Sequence, residues 1–329
     1  MDNIKKYFTI TDNAEIAMEI DPRHITKDQI ITYSDYGVNR ISIGVQDFNH
    51  DTQKAINRIQ PYDIIFETVN LLRHYNINQI NLDFIYGLPK QTSASMVHNI
   101  ELALKLDPSR LSIFGYAHVP WMKKHMRLIH QNDLPDNKTR LEIFQIAEKK
   151  LNDAKYLSIG IDHFAKLDDQ MSKAYQSKSL RRNFQGYVTD NALTLIGFGT
   201  SSISYIENLG YVQNNSMTNQ YKDSLNNNII PTTKGKSMSK NDLLHYDIIM
   251  NLMCYFEVDL KYYCNKHNVN TKYFESYLEK LTPFITDNLV TITDYHIKID
   301  HSAKQIVRII CAIFDQYYNA SQTKHSKNT

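Results

Sequence analysis

The chain has 329 residues, 37 Lys and Arg against 35 Asp and Glu for a formal net charge of +2, and is 42% hydrophobic and 22% charged. That balance excludes a protein drawn to nucleic acid or membrane by bulk charge and leaves only local basic spots, Arg181-Arg182 and the Lys324–Lys327 tail. No apolar run nears the roughly 20 residues of a membrane span. Cys254, Cys264 and Cys311 share no metal-ligand spacing and are odd in number, so no metal ligands, no disulfide framework and a cytoplasmic, reducing setting are expected.

Residues 1–12 read as the end of an amphipathic helix, Ile4-Lys5-Lys6-Tyr7-Phe8. Four short apolar runs follow: Ile16–Glu19, Ile41–Gln46, Ile80–Asp83 and Leu111–Ala117, each ending in a polar residue or turn. Amphipathic stretches at 26–35, 51–58, 62–75 and 93–105 separate them, and Asp21-Pro22 and Leu88-Pro89 mark strand-to-helix turns. Buried parallel strands joined by helical crossovers give this rhythm, and in a β/α barrel the C-terminal strand ends face the active site. Residues 135–154 read as a further helix, Tyr156–Ile161 and Leu193–Gly199 as strand-like, and 302–319 as a long final helix after a strand pair at Leu289–Ile292 and His296–Ile299.

Six positions carry chemistry or its alternatives. Glu19 is a carboxylate at the expected mouth, suited to an ammonium group and equally to a helix cap. Gln46 offers an amide donor and acceptor beside Gly44, a glycine inside a strand where backbone or ligand comes close. Arg58 has the fork that grips a carboxylate, although an arginine there is more often surface. Asp83 interrupts Ile80-Asn81-Leu82-Asp83-Phe84-Ile85-Tyr86, where a buried charge costs several kcal/mol unless paired or bound. Ala117 ends the fourth run in Tyr116-Ala117-His118, and Ile203 closes Phe198-Gly199-Thr200-Ser201-Ser202-Ile203, whose small residues let backbone approach a ligand. His118 suits a proton carrier, although a lone histidine is more often structural; Asp162-His163 suggests acid–base or metal work, with no third partner at a ligand spacing to make a metal site, and no catalytic residue is assigned.

Taken together, Glu19-Ile20-Asp21-Pro22-Arg23, Gly44-Val45-Gln46-Asp47-Phe48-Asn49, Asn81–Thr92, Tyr116-Ala117-His118, Asp162-His163-Phe164-Ala165 and Arg182-Asn183-Phe184-Gln185-Gly186-Tyr187 resemble the oxygen-independent coproporphyrinogen III oxidases (coproporphyrinogen dehydrogenases) of the radical S-adenosylmethionine (SAM) family. The resemblance covers essentially the whole chain. It implies an α/β fold: a partial TIM-type (β/α) barrel missing its first two strands, plus a C-terminal, mostly helical, winged-helix-like domain. It also implies a [4Fe–4S] cluster, two SAM molecules and coproporphyrinogen III as substrate, oxidatively decarboxylated to protoporphyrinogen IX in anaerobic haem biosynthesis. By position, Glu19 corresponds to a contact of the SAM on the cluster, and Gln46, Arg58, Asp83, Ala117 and Ile203 to contacts of the second SAM. The family's Cys-x-x-x-Cys-x-x-Cys loop is absent from these residues, so the expectation is a truncated or split chain, inactive alone, with an electron donor and a separately encoded N-terminal fragment as partners. A non-catalytic SAM- or tetrapyrrole-binding remnant and a haem-chaperone-like relative are the alternatives, the latter disfavoured by Asn183-Phe184-Gln185-Gly186-Tyr187. Domains are expected at 1–212 and 240–329, with a linker at 213–239.

Overall fold

The computed structural model describes residues 1–207 and 209–318, which divide into two compact units, Met1–Gln176 and Ser177–Tyr318. In the first unit, helix α1 (Asp2–Tyr7) precedes strands β1 (Ala17–Ile20), β2 (Arg40–Gln46), β3 (Gln79–Tyr86) and β4 (Arg110–Gly115), which pair in parallel in chain order. Helices α2 (Lys27–Asp35), α3 (His50–Ala55), α4 (Tyr62–His74) and α5 (Ser93–Lys105) make the crossovers. Their starts follow from local chemistry: Thr26 and Thr92 form capping boxes and the Asn49 side chain accepts from the first turn of α3.

The sheet has two unlike faces. Ile41, Ile43, Val45, Ile80, Leu82, Phe84, Leu111 and Ile113 are buried with Ile65, Val69 and Leu72 of α4 and Met96, Ile100 and Ala103 of α5. Each of these side chains except that of Ala103 contributes about 1.5–3 kcal/mol on burial. The alternate residues Glu19, Ser42, Gly44, Asn81, Asp83 and Ser112 share the other face, because the register sets Glu19 beside Ser42, Ser42 beside Asn81, and Gly44, Asp83 and Ser112 in one row. Strand β1 is one outer strand of this sheet.

The segment expected as one strand at 156–161 is a hairpin. After α6 (Asn137–Asp153), β5 (Tyr156–Ile159) turns at Gly160 into β6 (His163–Lys166), and β6 pairs antiparallel with β4. Lys166 therefore lies at the N-terminal end of β4, and the next turn, before α7 (Gln170–Gln176), brings Asp169 under the sheet. There Asp169 meets Arg110 at 2.7 Å and Arg40 at 3.5 Å, while Arg40 also reaches Glu15 at 2.8 Å; Asp169, Arg40 and Arg110 are all buried.

The second unit starts with the hairpin β7 (Arg181–Arg182) and β8 (Tyr187–Val188). Strands β9 (Ile203–Ile206), β10 (Gly210–Asn214) and β11 (Thr232–Ser237) form an antiparallel sheet, with α8 (Thr218–Asn226) between β10 and β11. The expected linker at 213–239 is thus folded, and the chain divides at Gln176/Ser177 instead of near residue 212. Its polar composition misled because β11 is exposed along its whole length and held by backbone pairing. Helix α9 (Lys240–Tyr255), strand β12 (Glu257–Asp259), helices α10 (Leu260–His267), α11 (Glu275–Glu279) and α12 (Thr282–Thr286), and the pair β13 (Val290–Thr293) and β14 (His296–Ile299) follow, the three strands ordered β12-β14-β13.

Two further expectations are corrected. The long final helix is a 3₁₀ turn at His301–Ile306 and a short α13 (Val307–Phe314); residue 319 lies outside the described residues. Leu193–Gly199 makes one bridge, Leu195 to Tyr205, and leaves Leu193, Ile196 and Phe198 exposed.

Candidate functional site

Asp83 sits on the polar face three residues before the end of β3, deeper than the strand end predicted for it. Ser42 Oγ and Asn81 Nδ2 donate to its two carboxylate oxygens, the latter at 2.7 Å; Asn81 Nδ2 also reaches Ser42 Oγ at 2.8 Å, and Ser112 Oγ donates to Asn81 Oδ1 at 3.2 Å. This network crosses three strands and holds the half-buried carboxylate in place with two uncharged neighbours. No cation is within ion-pair distance of it among the described residues. A fixed anion with spare lone pairs suits hydroxyl or ammonium donors on a ligand. Ser42, Asn81 and Ser112 escaped the sequence reading, although each is a polar residue at period two inside an apolar run.

Beside it, β2 ends in a bulge, with the register shifting between Gly44 and Gln46 and Gln46 at φ 66° in the left-handed region. Gly44 leaves room for these side chains: a Cβ on it would lie 2.7 Å from Gln46 Nε2 and 3.3 Å from Arg58 Nη2. Both predicted side chains therefore lie over one bare stretch of backbone. Arg58 Nη2 donates to Gly44 O at 3.0 Å, its Nε to Gln60 Oε1 at 3.1 Å, and its Nη1 stands 3.4 Å from Asp21. Asp21 is gripped by Arg23 at 2.6 Å, and that bond holds its carboxyl far below the usual carboxylate range. Burial draws the Arg58 guanidinium down from its ordinary value and Asp21 opposes the shift.

Gln60, wholly buried, is the hub the sequence hid. Its Nε2 donates to the carbonyls of Gly44, at 3.0 Å, and Val45, and its backbone N–H is taken by Gln53 Oε1 at 3.0 Å. A neighbouring knot fixes the turn after β3. Gln91 Oε1 accepts from Gly87 N–H at 2.7 Å, while its Nε2 donates to Ile85 O at 2.9 Å and to Asp47 at 2.7 Å. Asp47 is buried, which pushes its carboxyl up from the ordinary value.

Glu19 is exposed at the end of β1, in the row beside Ser42. Ala117 is exposed two residues past β4, and Arg140 of α6 donates to the carbonyl of the preceding Tyr116 at 3.0 Å. Tyr116 also meets His118 at 3.2 Å, and His163 pairs with Asp162 at 2.6 Å. Glu19, Gln46, Arg58, Asp83 and Ala117 thus belong to the first unit, on or beyond the C-terminal parts of its parallel strands. Ile203 belongs to the second unit, where it opens β9 and pairs with Gln213 of β10.

Comparison with known proteins decides the family. The radical SAM superfamily pattern matches residues 2–103. The oxygen-independent coproporphyrinogen III oxidase of Bradyrhizobium diazoefficiens is 40% identical over 324 residues, 98% of this chain and 72% of that protein. The chain belongs to the oxygen-independent coproporphyrinogen III oxidases. The Helicobacter pylori enzyme of the same name is 40% identical over 95% of this chain and 68% of its own length. The solved coproporphyrinogen III oxidase of Escherichia coli, described as a radical SAM enzyme, superposes with a TM-score of 0.91 at 35% identity, covering 96% of this chain and 73% of that one. This α/β fold is therefore the family's.

Membership of the radical SAM family implies SAM and a [4Fe–4S] cluster. Among the described residues no group of three or more His, Cys, Asp or Glu is placed to hold a metal, and the three cysteines are free, buried and all in the second unit. Burial pushes the thiols of Cys254 and Cys311 up to about 12, the opposite of what a thiolate ligand needs. These residues do not fit the cluster. The polar face does fit SAM, a ligand with an ammonium, a carboxylate and ribose hydroxyls, in the chemistry of its donors and acceptors. No helix among the described residues is long and apolar enough to cross a membrane.

Proposed function

We propose that this chain serves the oxidative decarboxylation of coproporphyrinogen III to protoporphyrinogen IX and binds SAM on the polar face of its first unit. The observation that carries the reading is the Asp83 carboxylate, held by Ser42 and Asn81 in the same row as Gly44, over which Gln46 and Arg58 lie. A reduced cluster with SAM, held by residues other than these, would supply the radical chemistry that this decarboxylation needs.

The chain's own residues bind and orient. Asp83 accepts from ribose hydroxyls or an amine, Arg58 faces the ligand carboxylate, and Gln46 offers its amide to the adenine or the methionyl end. Backbone at Ala117 lines the same rim. Glu19, in the outer strand, takes the ammonium of a first SAM, so that two SAM molecules are served. Cluster ligands come from a polypeptide segment other than these 329 residues, and the reducing electron from a redox donor.

Calorimetry of the purified chain with SAM, and with S-adenosylhomocysteine as an unreactive analogue, tests the binding. Asp83→Ala is expected to weaken both at least about tenfold, the worth of one hydrogen bond to a charged group. Unchanged affinity in that variant, or no binding by the parent chain, would sink the assignment. Turnover is checked anaerobically by protoporphyrin formation after adding a segment carrying Cys-x-x-x-Cys-x-x-Cys. The chain alone is expected to leave SAM uncleaved.

A further inference from the structure

In the second unit, beside β7, lies a cavity of about 170 Å³ bordered by Arg181, Arg182, Asp190, Tyr205, Tyr211 and Tyr246 among others. It is bordered by two guanidinium groups and one carboxylate, Asp190. Neither arginine has a carboxylate within ion-pair distance among the described residues, and Arg182 Nε is buried with no hydrogen-bond partner. Arg181 spends one Nη on Ala192 O at 3.0 Å, and the Arg182 guanidinium stands 5.5 Å from the centre of the Tyr187 ring. Asp190 borders the cavity too, with its carboxylate accepting from Ala192 N–H at 2.8 Å.

The aromatic wall adds donors. Tyr246 reaches the Arg182 carbonyl at 3.3 Å, whereas the hydroxyls of Tyr205 and Tyr211 have no partner among the described residues. Their rings lie 4.8 Å apart. Burial pushes Tyr211 up to about 12 and raises Tyr205 and Tyr246, so all three keep their protons at neutral pH. A buried Arg182 Nε without a partner, beside phenols whose hydroxyls are idle, is a costly arrangement without an acceptor to receive them.

A three-carbon arm ending in a carboxylate fits a cavity of about 170 Å³, and Arg181, Arg182 and Tyr246 also border an adjoining space of about 490 Å³.

We infer that this cavity binds one propionate carboxylate of the tetrapyrrole substrate through Arg181, Arg182 and the hydroxyls of Tyr205 and Tyr211. The inference rests on the substrate reading given above and adds to it a recognition site for a carboxylate arm. It also gives the Asn183-Phe184-Gln185-Gly186-Tyr187 turn a task. Asn183 Oδ1 accepts from Gln185 and Gly186 N–H, Gly186 takes φ 151°, and Tyr187 anchors to Met253 O at 3.0 Å, which together fix the β7–β8 hairpin that carries both arginines.

Fluorescence titration of the 329-residue chain with coproporphyrin III, the stable oxidised form, and with its tetramethyl ester is the test. The free acid is expected to bind at least tenfold tighter than the ester, with a preference that shrinks as salt rises. The double variant Arg181→Ala/Arg182→Ala should lose that preference, and Arg182→Lys should recover part of it. Tyr211→Phe, which removes one oxygen, should weaken acid binding alone and decides the matter if the double variant does not fold. Equal binding of acid and ester, or a preference that survives these changes, overturns the cavity assignment and leaves tetrapyrrole binding intact. Failure of the parent chain to bind either porphyrin overturns both readings.

Discussion

Replacing Gln60 by methionine, of similar length and with no amide, tests whether one buried side chain holds the site together. Gln60 donates to the carbonyls of Gly44 and Val45 and accepts from Arg58 Nε at 3.1 Å. Each neutral bond contributes about 0.5–1.5 kcal/mol net and the charge-assisted one about 1.5–3 kcal/mol. Gly44 O retains Arg58 Nη2 and Val45 O retains Asp47 N–H, which offsets part of the loss. The expected destabilisation is therefore about 2–4 kcal/mol. The chain has one tryptophan, Trp121, in the first unit, so urea unfolding followed by its fluorescence reports on that unit. The midpoint should fall at constant slope, and SAM affinity should drop with it because Arg58 and the Gln46 bulge lose their support. A loss below about 1 kcal/mol with SAM affinity unchanged would refute this accounting.

Three other outcomes follow from the same physics. Asp169→Asn should lower the stability of the first unit by about 3 kcal/mol, since it leaves Arg40 and Arg110 buried without their shared anion; a midpoint shift near zero in the same urea assay would contradict that. His245 is buried between Phe314 O at 2.6 Å and Tyr273 Oη at 2.9 Å, and burial lowers its pKa below the ordinary value of about 6.5. The unfolded chain then binds the proton more readily, so this group's contribution is full above about pH 6.5 and is lost as pH falls through the folded value. Circular dichroism melts from pH 8 to 5 should show that slope, and His245→Phe should flatten it. The three buried thiols should resist 5,5′-dithiobis(2-nitrobenzoate) in the native chain and react in denaturant; rapid native labelling would show that the thiols are open to solvent.

The parallel half of the fold was legible because four apolar runs and their intervening helices obey strict periods. Asp83 stood out because a charge in such a run demands a reason. Gln60 could not stand out: its worth comes from two carbonyls 16 and 15 residues earlier in the chain. The 213–239 segment was misread because strand β11 is held by backbone pairing, which leaves no hydrophobic pattern. The hairpin at 156–166 was half seen, since four-residue strands carry too little pattern to show direction.

That hairpin has a topological consequence. Each parallel strand delivers its following loop to the same rim, where Gln46, the Gly87-Leu88-Pro89 turn and Ala117 gather. Strand β6 runs the other way and delivers Asp169 to the opposite end, beneath Arg110 and Arg40. One reversed strand thus divides the molecule's labour by geography: the rim is left free to vary with the ligand, while the floor is locked by a charge cluster that ligands at the rim do not touch.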